Sequence, residues 1–271
     1  MFGSLINIIK DHKEHWHQIL HMSKVRRQRM YKGSDLGWIW AFAKPILYMC
    51  VFYFAISIGF KGAKDIQGIH TPYFIWLISG IVPWFYIRDM IMGGAGCFVR
   101  NKYLVNRMKY PSSTIPAIVS FSYFKLHVLL MCIVFVLALV FQVKPSVYWL
   151  QIPFYTFFMV LFSTIWGMAT GLLTVITRDF FNLLGALGTA IFWLSGILFD
   201  IHGVKSHAMQ TMFLFNPVTY IVEGYRDSIC RGIWFFEKGP EFGCYMIVLF
   251  VFLFIAIWLY RKTENILPDI I

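Results

Sequence analysis

Residues 100–111 read Arg-Asn-Lys-Tyr-Leu-Val-Asn-Arg-Met-Lys-Tyr-Pro, a short basic segment between two long apolar runs at 71–99 and 111–141. Its charged residues are all basic, namely Arg100, Lys102, Arg107 and Lys109. Short loops rich in lysine and arginine stay on the cytoplasmic side of a membrane. The segment therefore sets the orientation of every other apolar run, and its place against the inner membrane face suits contact with another molecule.

The composition of the 271-residue chain is that of an integral membrane protein. It is 59% hydrophobic and 14% charged, whereas soluble domains average about a quarter charged residues. The length leaves room for a single membrane domain, residues 1–271, with short loops. The net charge of +11 does not indicate nucleic-acid binding, because the basic residues concentrate at the ends of apolar runs, as topology determinants do.

The first 35 residues predict an amphipathic helix in the membrane interface, over about residues 3–31. Apolar residues recur there at mostly helical spacing, and charged residues fill much of the remaining surface. The alternative is a cytosolic helix packed on a partner. His17 and His21 are one helical turn apart, but an exposed helix lacks the closed pocket of a metal site, so we expect no metal. The first apolar run begins only near Leu36, so no cleavable signal peptide is predicted.

The apolar runs predict an all-α, polytopic membrane protein with six transmembrane helices and both termini in the cytoplasm. The predicted spans are about 38–60, 72–99, 114–142, 150–177, 181–199 and 243–260. Pro83 and the glycines of 93–96 predict a broken or kinked second span. Gly167 and Gly171 predict close helix packing in the fourth. In this topology the cytoplasmic side carries about twice as many basic residues as the outer side.

Residues 205–232 are too polar for a plain span and too apolar for an ordinary loop. Two apolar segments, 209–215 and 218–229, flank the pair Asn216-Pro217. We predict two short re-entrant helices that dip into the membrane from the outer side. Cys230 and Cys244 fall on that side as well, but their spacing gives no support for a disulfide.

Enzyme motifs are absent from the sequence. There is no GxxxxGK[ST] phosphate loop, no GxSxG elbow, no HExxH pair and no CxxC cluster. No two carboxylates are placed on one face as a catalytic pair. We therefore expect no catalytic residue and no cofactor bound by this chain.

Charged and aromatic residues within the predicted spans are the better clue to function. A charge in the bilayer is costly, so Arg88 and Lys125 either face a polar pathway for an anionic head group, or are neutralised by pairing and by snorkelling to the interface. Many aromatic residues must be interfacial anchors or core, and the remainder can stack on sugar rings. The candidate pathway or head-group residues are Arg88, Lys125, Trp84, Phe85, Tyr86, Tyr220, Glu223 and Arg226.

Several motifs carry a resemblance over nearly the whole chain. They are Leu36-Gly-Trp-Ile-Trp40 leading to Pro45, Gly80-Ile-Val-Pro-Trp-Phe85, Met108-Lys-Tyr-Pro111, Thr177-Arg-Asp179, Phe215-Asn-Pro-Val-Thr-Tyr220 and Tyr225-Arg226. Together with the N-terminal helix, they resemble the membrane subunits of type-2 ABC exporters that move lipid-linked polysaccharides. Residues 144–153 look most like the teichoic-acid export permeases of Gram-positive bacteria, whereas residues 194–199 depart from the Thr-Pro-Ile-containing segment of that subgroup.

The resemblance implies a homodimer of this chain with two copies of a separate ATPase, which would bind ATP and Mg. Residues 100–111 would be the coupling helix, with contacts from Arg100, Lys102, Tyr103, Leu104, Arg107 and Met108. The exported molecule would be a polyprenyl-diphosphate-linked wall teichoic acid or related polysaccharide, moved across the bacterial cytoplasmic membrane, and membrane lipid would be a further partner. The alternatives are an O-antigen or capsular polysaccharide permease, an ATPase-independent channel or lipid scramblase, and an integral membrane transferase.

Overall fold

The computed structural model describes residues 2–30, 32–33, 35–55, 71–107, 110–264 and 267. Within these residues the chain forms helices and no β-strand. The α-helices are α1 (Phe2–Glu14), α2 (Trp16–Met30), α3 (Ile39–Phe54), α4 (Tyr73–Ala95), α5 (Cys97–Arg100), α6 (Lys102–Arg107), α7 (Ile115–Val140), α8 (Ile152–Ile176), α9 (Asp179–Trp193), α10 (His207–Phe215), α11 (Pro217–Arg226) and α12 (Gly239–Thr263). The all-α prediction is confirmed for this part of the chain.

Four helical segments of the described chain are long and apolar enough to cross a membrane. They are Tyr73–Ala95, Ser112–Val140, Val147–Ile176 and Phe235–Thr263. Two shorter apolar helices, α3 and α9, occupy the places of the predicted first and fifth spans. The expected outer end of the first span, 56–60, lies outside the described residues, as does most of the following loop. The count of six spans therefore stays a prediction.

Helix α4 lies at the centre of the bundle. Every residue from 75 to 87 is buried, and the helix contacts α3, α7, α8, α9 and α11. Its side chains are apolar almost all round, which is typical of a helix enclosed by protein on every side. The core of the molecule therefore forms around α4.

The predicted break in this segment falls at the glycine cluster and not at Pro83. Helix α4 runs through Pro83 and ends at Gly96, where α5 begins. Proline in a helix leaves one backbone carbonyl without its usual donor, and membrane helices tolerate this where neighbouring helices cover the site. Pro83 is buried within such neighbours.

Glycines bring α4 and α8 into close contact. A Cβ placed on Gly94 would lie 2.6 Å from Cα of Gly167, and a Cβ placed on Gly171 would lie 2.7 Å from Sγ of Cys97. Only hydrogen fits at those separations, so the two backbones approach as in other small-residue helix contacts. The close packing predicted from Gly167 and Gly171 is present, and its partner is the end of α4 and the start of α5.

The N-terminal segment forms two helices joined at His15. Backbone hydrogen bonds from His15 N to Asp11 O and from Ile19 N to His15 O continue the helical ladder across the junction. Helix α2 packs along α7, where Ile19 is fully buried and Trp16 meets Phe121 edge to face at 5.1 Å between ring centroids. The predicted helix is thus helical over nearly its whole length, and its packing partner lies in the same chain.

Residues 205–232 form two helices around a sharp break. Asn216 accepts a hydrogen bond from Val218 N at 3.0 Å, and Pro217 occupies the first turn of α11. Both features are favoured at a helix N-terminus. Helix α11 continues into a wider helical turn over Asp227–Arg231. Helices α10 and α11 both fall within 205–232, and their re-entrant insertion into the membrane stays a prediction.

Candidate functional site

A cluster of charged side chains surrounds α11 and the turn that follows it. We call it the charge cluster, and its members are Asp200, His202, Glu223, Arg226, Asp227, Arg231 and Lys238. Glu223, Asp227 and Arg231 recur every four positions, so one face of a helical segment carries them, and Arg226 lies on the neighbouring flank three positions after Glu223. Burial of Glu223, Arg226 and Asp227 means that the cluster is internal.

Arg226 is the most enclosed member of the charge cluster and has no exposed surface. Its guanidinium donates to Glu223 Oε1 at 2.8 Å and to the backbone oxygens of Gly196 at 2.8 Å and Ile197 at 2.5 Å. It also lies 3.5 Å from the ring centroid of Trp76 on α4. A Cβ placed on Gly80 would come within 2.7 Å of Nη2 of Arg226, so the glycine provides the space. Arg226 therefore joins α11, α4 and the turn after α9.

Glu223 receives positive charge from several directions. Arg226 binds Oε1, Arg231 binds Oε2, and Nε2 of His202 lies 3.4 Å from Oε2. Burial alone would raise the pKa of this carboxyl group. The hydrogen bond from His202 and the two arginine charges outweigh burial and hold the pKa of Glu223 well below its usual range. These contacts therefore favour the charged form of Glu223.

Three members of the charge cluster have the chemistry of metal ligands. Asp200, His202 and Glu223 each offer a ligand atom, and these atoms lie within 4.8 Å of one another. However, Arg231 donates to Asp200 Oδ1 at 3.0 Å and also to Glu223. The guanidinium already supplies the positive charge that the two carboxylates require, so the geometry favours an ion-pair network.

A cavity of about 240 Å³ opens beside the charge cluster between α8, α10, α11 and α12. Tyr220 and Glu223, both predicted pathway residues, line it, whereas Arg226 lies on the opposite flank of α11 against α4. Its other lining residues are Tyr155, Ile201, His202, Gln210, Phe213, Leu214, Thr219, Gly224, Asp227, Lys238 and Glu241. Aromatic faces beside carboxylates and an amide are chemically suited to a sugar ring.

The predicted aromatic pathway residues of α4 are packed inside the chain. Trp84, Phe85 and Tyr86 are each less than 5% exposed. The hydroxyl groups of Tyr86 and Ser120 are hydrogen bonded at 2.5 Å, and the ring of Trp84 lies 5.5 Å from that of Phe192. For these three residues the geometry favours the packing interpretation over direct contact with a passing molecule.

Arg88 lies at the surface of the bundle between α3 and α4. Its guanidinium is 2.8 Å from Asp89 Oδ1 and within 6 Å of the ring centroids of Tyr48 and Phe85. The side chain keeps 41% of its surface exposed. Arg88 therefore pairs with its neighbour, as one interpretation predicts, and still presents charge at a mostly apolar face.

Lys125 is exposed and lies beside the N-terminal helices. It borders an open groove together with Lys24 and Arg27 of α2 and with Trp38. In this chain it therefore faces the flank of the bundle, and it does not share the interior with Arg226 or with the aromatic residues of α4.

The predicted coupling segment is helical over Lys102–Arg107 and is separated from α5 at Asn101. Leu104 is buried against the bundle, whereas Lys102 and Tyr103 are exposed. Arg100 lies over the ring of Phe181, with 5.5 Å between its guanidinium carbon and the ring centroid. Met108, Lys109 and the side chain of Arg107 lie outside the described residues. The described part has one buried anchor and an exposed polar face.

A basic cleft separates this segment from α2. It measures about 400 Å³, and Arg26, Arg29 and Arg100 line it together with Tyr103 and Leu104. The cytoplasmic end of the predicted topology therefore presents a cleft and a short exposed helix side by side.

These features define a class of protein: a helical protein with several candidate membrane spans, whose sequence has no nucleotide-binding loop. The chain belongs to the ABC-2 type transporter family, whose sequence profile matches residues 17–230. It is 20% identical over 224 residues to an O-antigen export system permease protein of Myxococcus xanthus, covering 82% of this chain and 84% of that protein. It is 24% identical over 205 residues to an O-antigen export system permease protein of Klebsiella pneumoniae, covering 74% and 76%.

Sequence reasoning missed most of the charge cluster. It singled out Glu223 and Arg226, but not Asp200, Arg231 or Lys238, which complete the network. The signal was the spacing of Glu223, Asp227 and Arg231, which places two carboxylates and one arginine on one helical face.

Proposed function

We propose that this chain is the permease subunit of an ATP-driven exporter of lipid-linked cell-surface polysaccharide. The observation that carries the proposal is the family match over 17–230, joined with relatives that are named O-antigen export permeases and align with 74% or more of both chains. The absence of a phosphate loop from the sequence supports a division of labour, in which a separate ATPase binds ATP and Mg.

The exported molecule is the narrower part of the proposal. The named relatives favour an O-antigen-like or similar polysaccharide on a polyprenyl-diphosphate carrier. The likeness of residues 144–153 to teichoic-acid permeases supports wall teichoic acid as the specific case. Depletion of the permease should cause the lipid-linked glycan to accumulate inside the cell, and chemical analysis of that glycan decides between these polymers. Loss of the protein without any intracellular glycan would argue against polysaccharide export.

A second copy of the chain supplies the other wall of the proposed path. Helices α3 and α9 carry large apolar side chains that this chain leaves uncovered, among them Leu47, Phe54, Leu183 and Trp193. Exposed apolar surface in a membrane protein faces lipid or another helix. Arg88 lies beside α3 at this face, so a dimer formed through it would place two arginines along the path between the copies.

The proposed docking site for the ATPase is the cytoplasmic segment 100–111, with both chain termini on the same side. An exposed helix anchored by Leu104 presents Lys102 and Tyr103 to a partner. The neighbouring cleft with Arg26, Arg29 and Arg100 adds positive charge to this surface. We expect the ATPase to contact both elements.

Tyr103→Ala and Arg107→Glu should each lower polysaccharide-stimulated ATP hydrolysis of the purified complex by at least tenfold, because each removes a side chain from the proposed docking helix. The permease itself should elute as a folded, monodisperse protein. Lys13→Glu, a charge reversal on an exposed position of α1, serves as the control and should retain coupling. Unchanged stimulation in both docking variants would remove residues 100–111 from the coupling role.

Arg88→Ala should slow transport about tenfold in reconstituted vesicles while ATPase binding is retained, because the proposed path loses its cation for the diphosphate group. Arg88→Lys should restore part of the rate, since it restores charge without the forked geometry of guanidinium. Lys205→Ala, at an exposed position outside the candidate spans, is the control. Normal transport by Arg88→Ala would show that Arg88 has no role in transport and only pairs with Asp89.

A further inference from the structure

A basic groove lies on the flank of the bundle away from the segment 100–111. We call it the basic groove, and the residues that line it are Lys24, Arg27, Gln28, Trp38 and Lys125. Lys24 and Arg27 are one turn apart on α2, Lys125 comes from α7, and Trp38 precedes α3. Its volume is about 450 Å³, and it is open to the surroundings of the protein. Two helices thus direct three cations to one place, and Trp38 lies beside them.

The three cations have no protein counter-ion within the described residues. The carboxylates of this part of the chain that form ion pairs do so elsewhere, and none lies within 4.0 Å of Lys24, Arg27 or Lys125. Like charges in one groove repel each other, and the repulsion is larger near a membrane than in bulk water. A bound anion would relieve it and would gain charge-assisted hydrogen bonds.

An apolar crevice adjoins the basic groove. Arg27, Trp38 and Lys125 border it as well, and its remaining walls are mostly apolar, formed by Met30, Ala41, Ser122, Tyr123, Leu126 and Leu129. The indole of Trp38 packs edge to face on Phe42 at 4.7 Å between ring centroids. A tryptophan between a charged and an apolar region is typical of the membrane interface. The crevice has a volume of only about 10 Å³, so the site suits an anionic head group whose apolar tail stays in the surrounding lipid.

The depth of Lys125 agrees with such a ligand. Fifteen helical residues separate Lys125 from Val140 at the end of α7, which corresponds to about 22 Å at 1.5 Å per residue. With Val140 at the outer boundary of a hydrocarbon core about 30 Å thick, Lys125 lies about 8 Å from the inner boundary. A lysine side chain reaches most of that distance by snorkelling. Its ammonium group then meets the phosphate level of the inner leaflet.

We propose that the basic groove binds the phosphate head group of an anionic phospholipid from the inner leaflet, with the acyl chains in the surrounding bilayer. The lipid would tie α2 to α7 and to the start of α3. This role needs neither the exported polymer nor the ATPase, so it stands apart from the transport function.

The test compares lipid binding by wild-type permease and a Lys24→Gln/Arg27→Gln/Lys125→Gln variant in nanodiscs of phosphatidylglycerol and phosphatidylcholine. Each basic residue at a membrane surface contributes about fivefold in affinity, so the variant should bind phosphatidylglycerol about 100-fold more weakly. Native mass spectrometry of the released protein should show one retained phosphatidylglycerol per copy in the wild type. The charge-preserving variant Lys24→Arg/Arg27→Lys/Lys125→Arg should also retain it.

A second triple variant, Lys10→Gln/Lys13→Gln/Lys262→Gln, removes the same charge from helix ends away from the basic groove and should bind like the wild type. Equal retention by the groove variant and this control would overturn the proposal. Equal retention of phosphatidylcholine by the wild type would overturn it too, because the net negative charge of the lipid would then have no role. Displacement of the lipid by polyprenyl diphosphate at tenfold lower concentration would assign the groove to the exported carrier and overturn the proposal.

Discussion

Arg226→Met should lower the free energy of unfolding by about 3–5 kcal/mol, the cost of leaving one partner of a buried ion pair without the other. The substitution removes the guanidinium that contacts Glu223, two backbone carbonyls of the turn after α9, and the ring of Trp76. Methionine fills a similar volume, so the loss reports charge and hydrogen bonding more than cavity formation. Equilibrium unfolding in mixed micelles measures the change.

Two variants separate the causes of that loss. Lys205→Met replaces a cation at an exposed position and should change the free energy of unfolding by less than about 0.5 kcal/mol. The double variant Glu223→Gln/Arg226→Met should recover part of the stability, because the carboxylate that Arg226 leaves behind no longer carries charge. A stability of Arg226→Met equal to that of wild type would show that the contacts of the Arg226 guanidinium contribute nothing to the stability of the fold.

Gly94→Ala should destabilise the bundle by about 1–3 kcal/mol, and Gly94→Val by more, because α4 and α8 touch through backbone at this point. The added Cβ would lie 2.6 Å from Cα of Gly167, and a backbone atom cannot rotate away as a side chain can. The two helices must therefore separate, which also loosens the packing of Gly171 against Cys97. Unfolding in mixed micelles again gives the magnitude.

Gly185→Ala and Gly188→Ala are matched controls on α9. The nearest atom to an added Cβ is 3.9 Å away at both positions, which is ordinary van der Waals contact. Because alanine has the higher helix propensity, both controls should be neutral or slightly stabilising. The same loss of stability at Gly94 and Gly185 would show that helix propensity or the unfolded state dominates, and that close packing of α4 on α8 does not.

The sequence is most informative where local chemistry decides the structure. The break at Asn216 and Pro217 follows from a capping side chain and a proline in the first helical turn, and both act within a few residues. The end of α4 at Gly96 likewise follows from the glycine cluster. Long apolar runs identified α7, α8 and α12 for the same reason, because length and composition alone mark a candidate span.

Features that depend on distant residues were not accessible from the sequence. Whether Pro83 interrupts α4 depends on the helices that enclose it, and the position of Lys125 depends on how α2 packs along α7. Arg226 looked like a pathway residue because a charge near a membrane is unusual, and its partners in the turn after α9 are about 30 positions away in the chain. Pairing across such distances is set by tertiary packing, which periodicity does not report.

Helix α4 is continuous from Tyr73 to Ala95, so a tilt at one end of the helix also moves the other end. The helix is about 35 Å long at 1.5 Å per residue, its N-terminal half holds Arg226 through Trp76 and Gly80, and its C-terminal end leads directly into α5 and α6. A tilt of about 5° about the C-terminal end therefore displaces the N-terminal end by about 3 Å, by the geometry of a rod of that length. Because the fully buried Arg226 joins α11 to α4, a tilt of α4 moves α11 directly, without a separate relay of side chains.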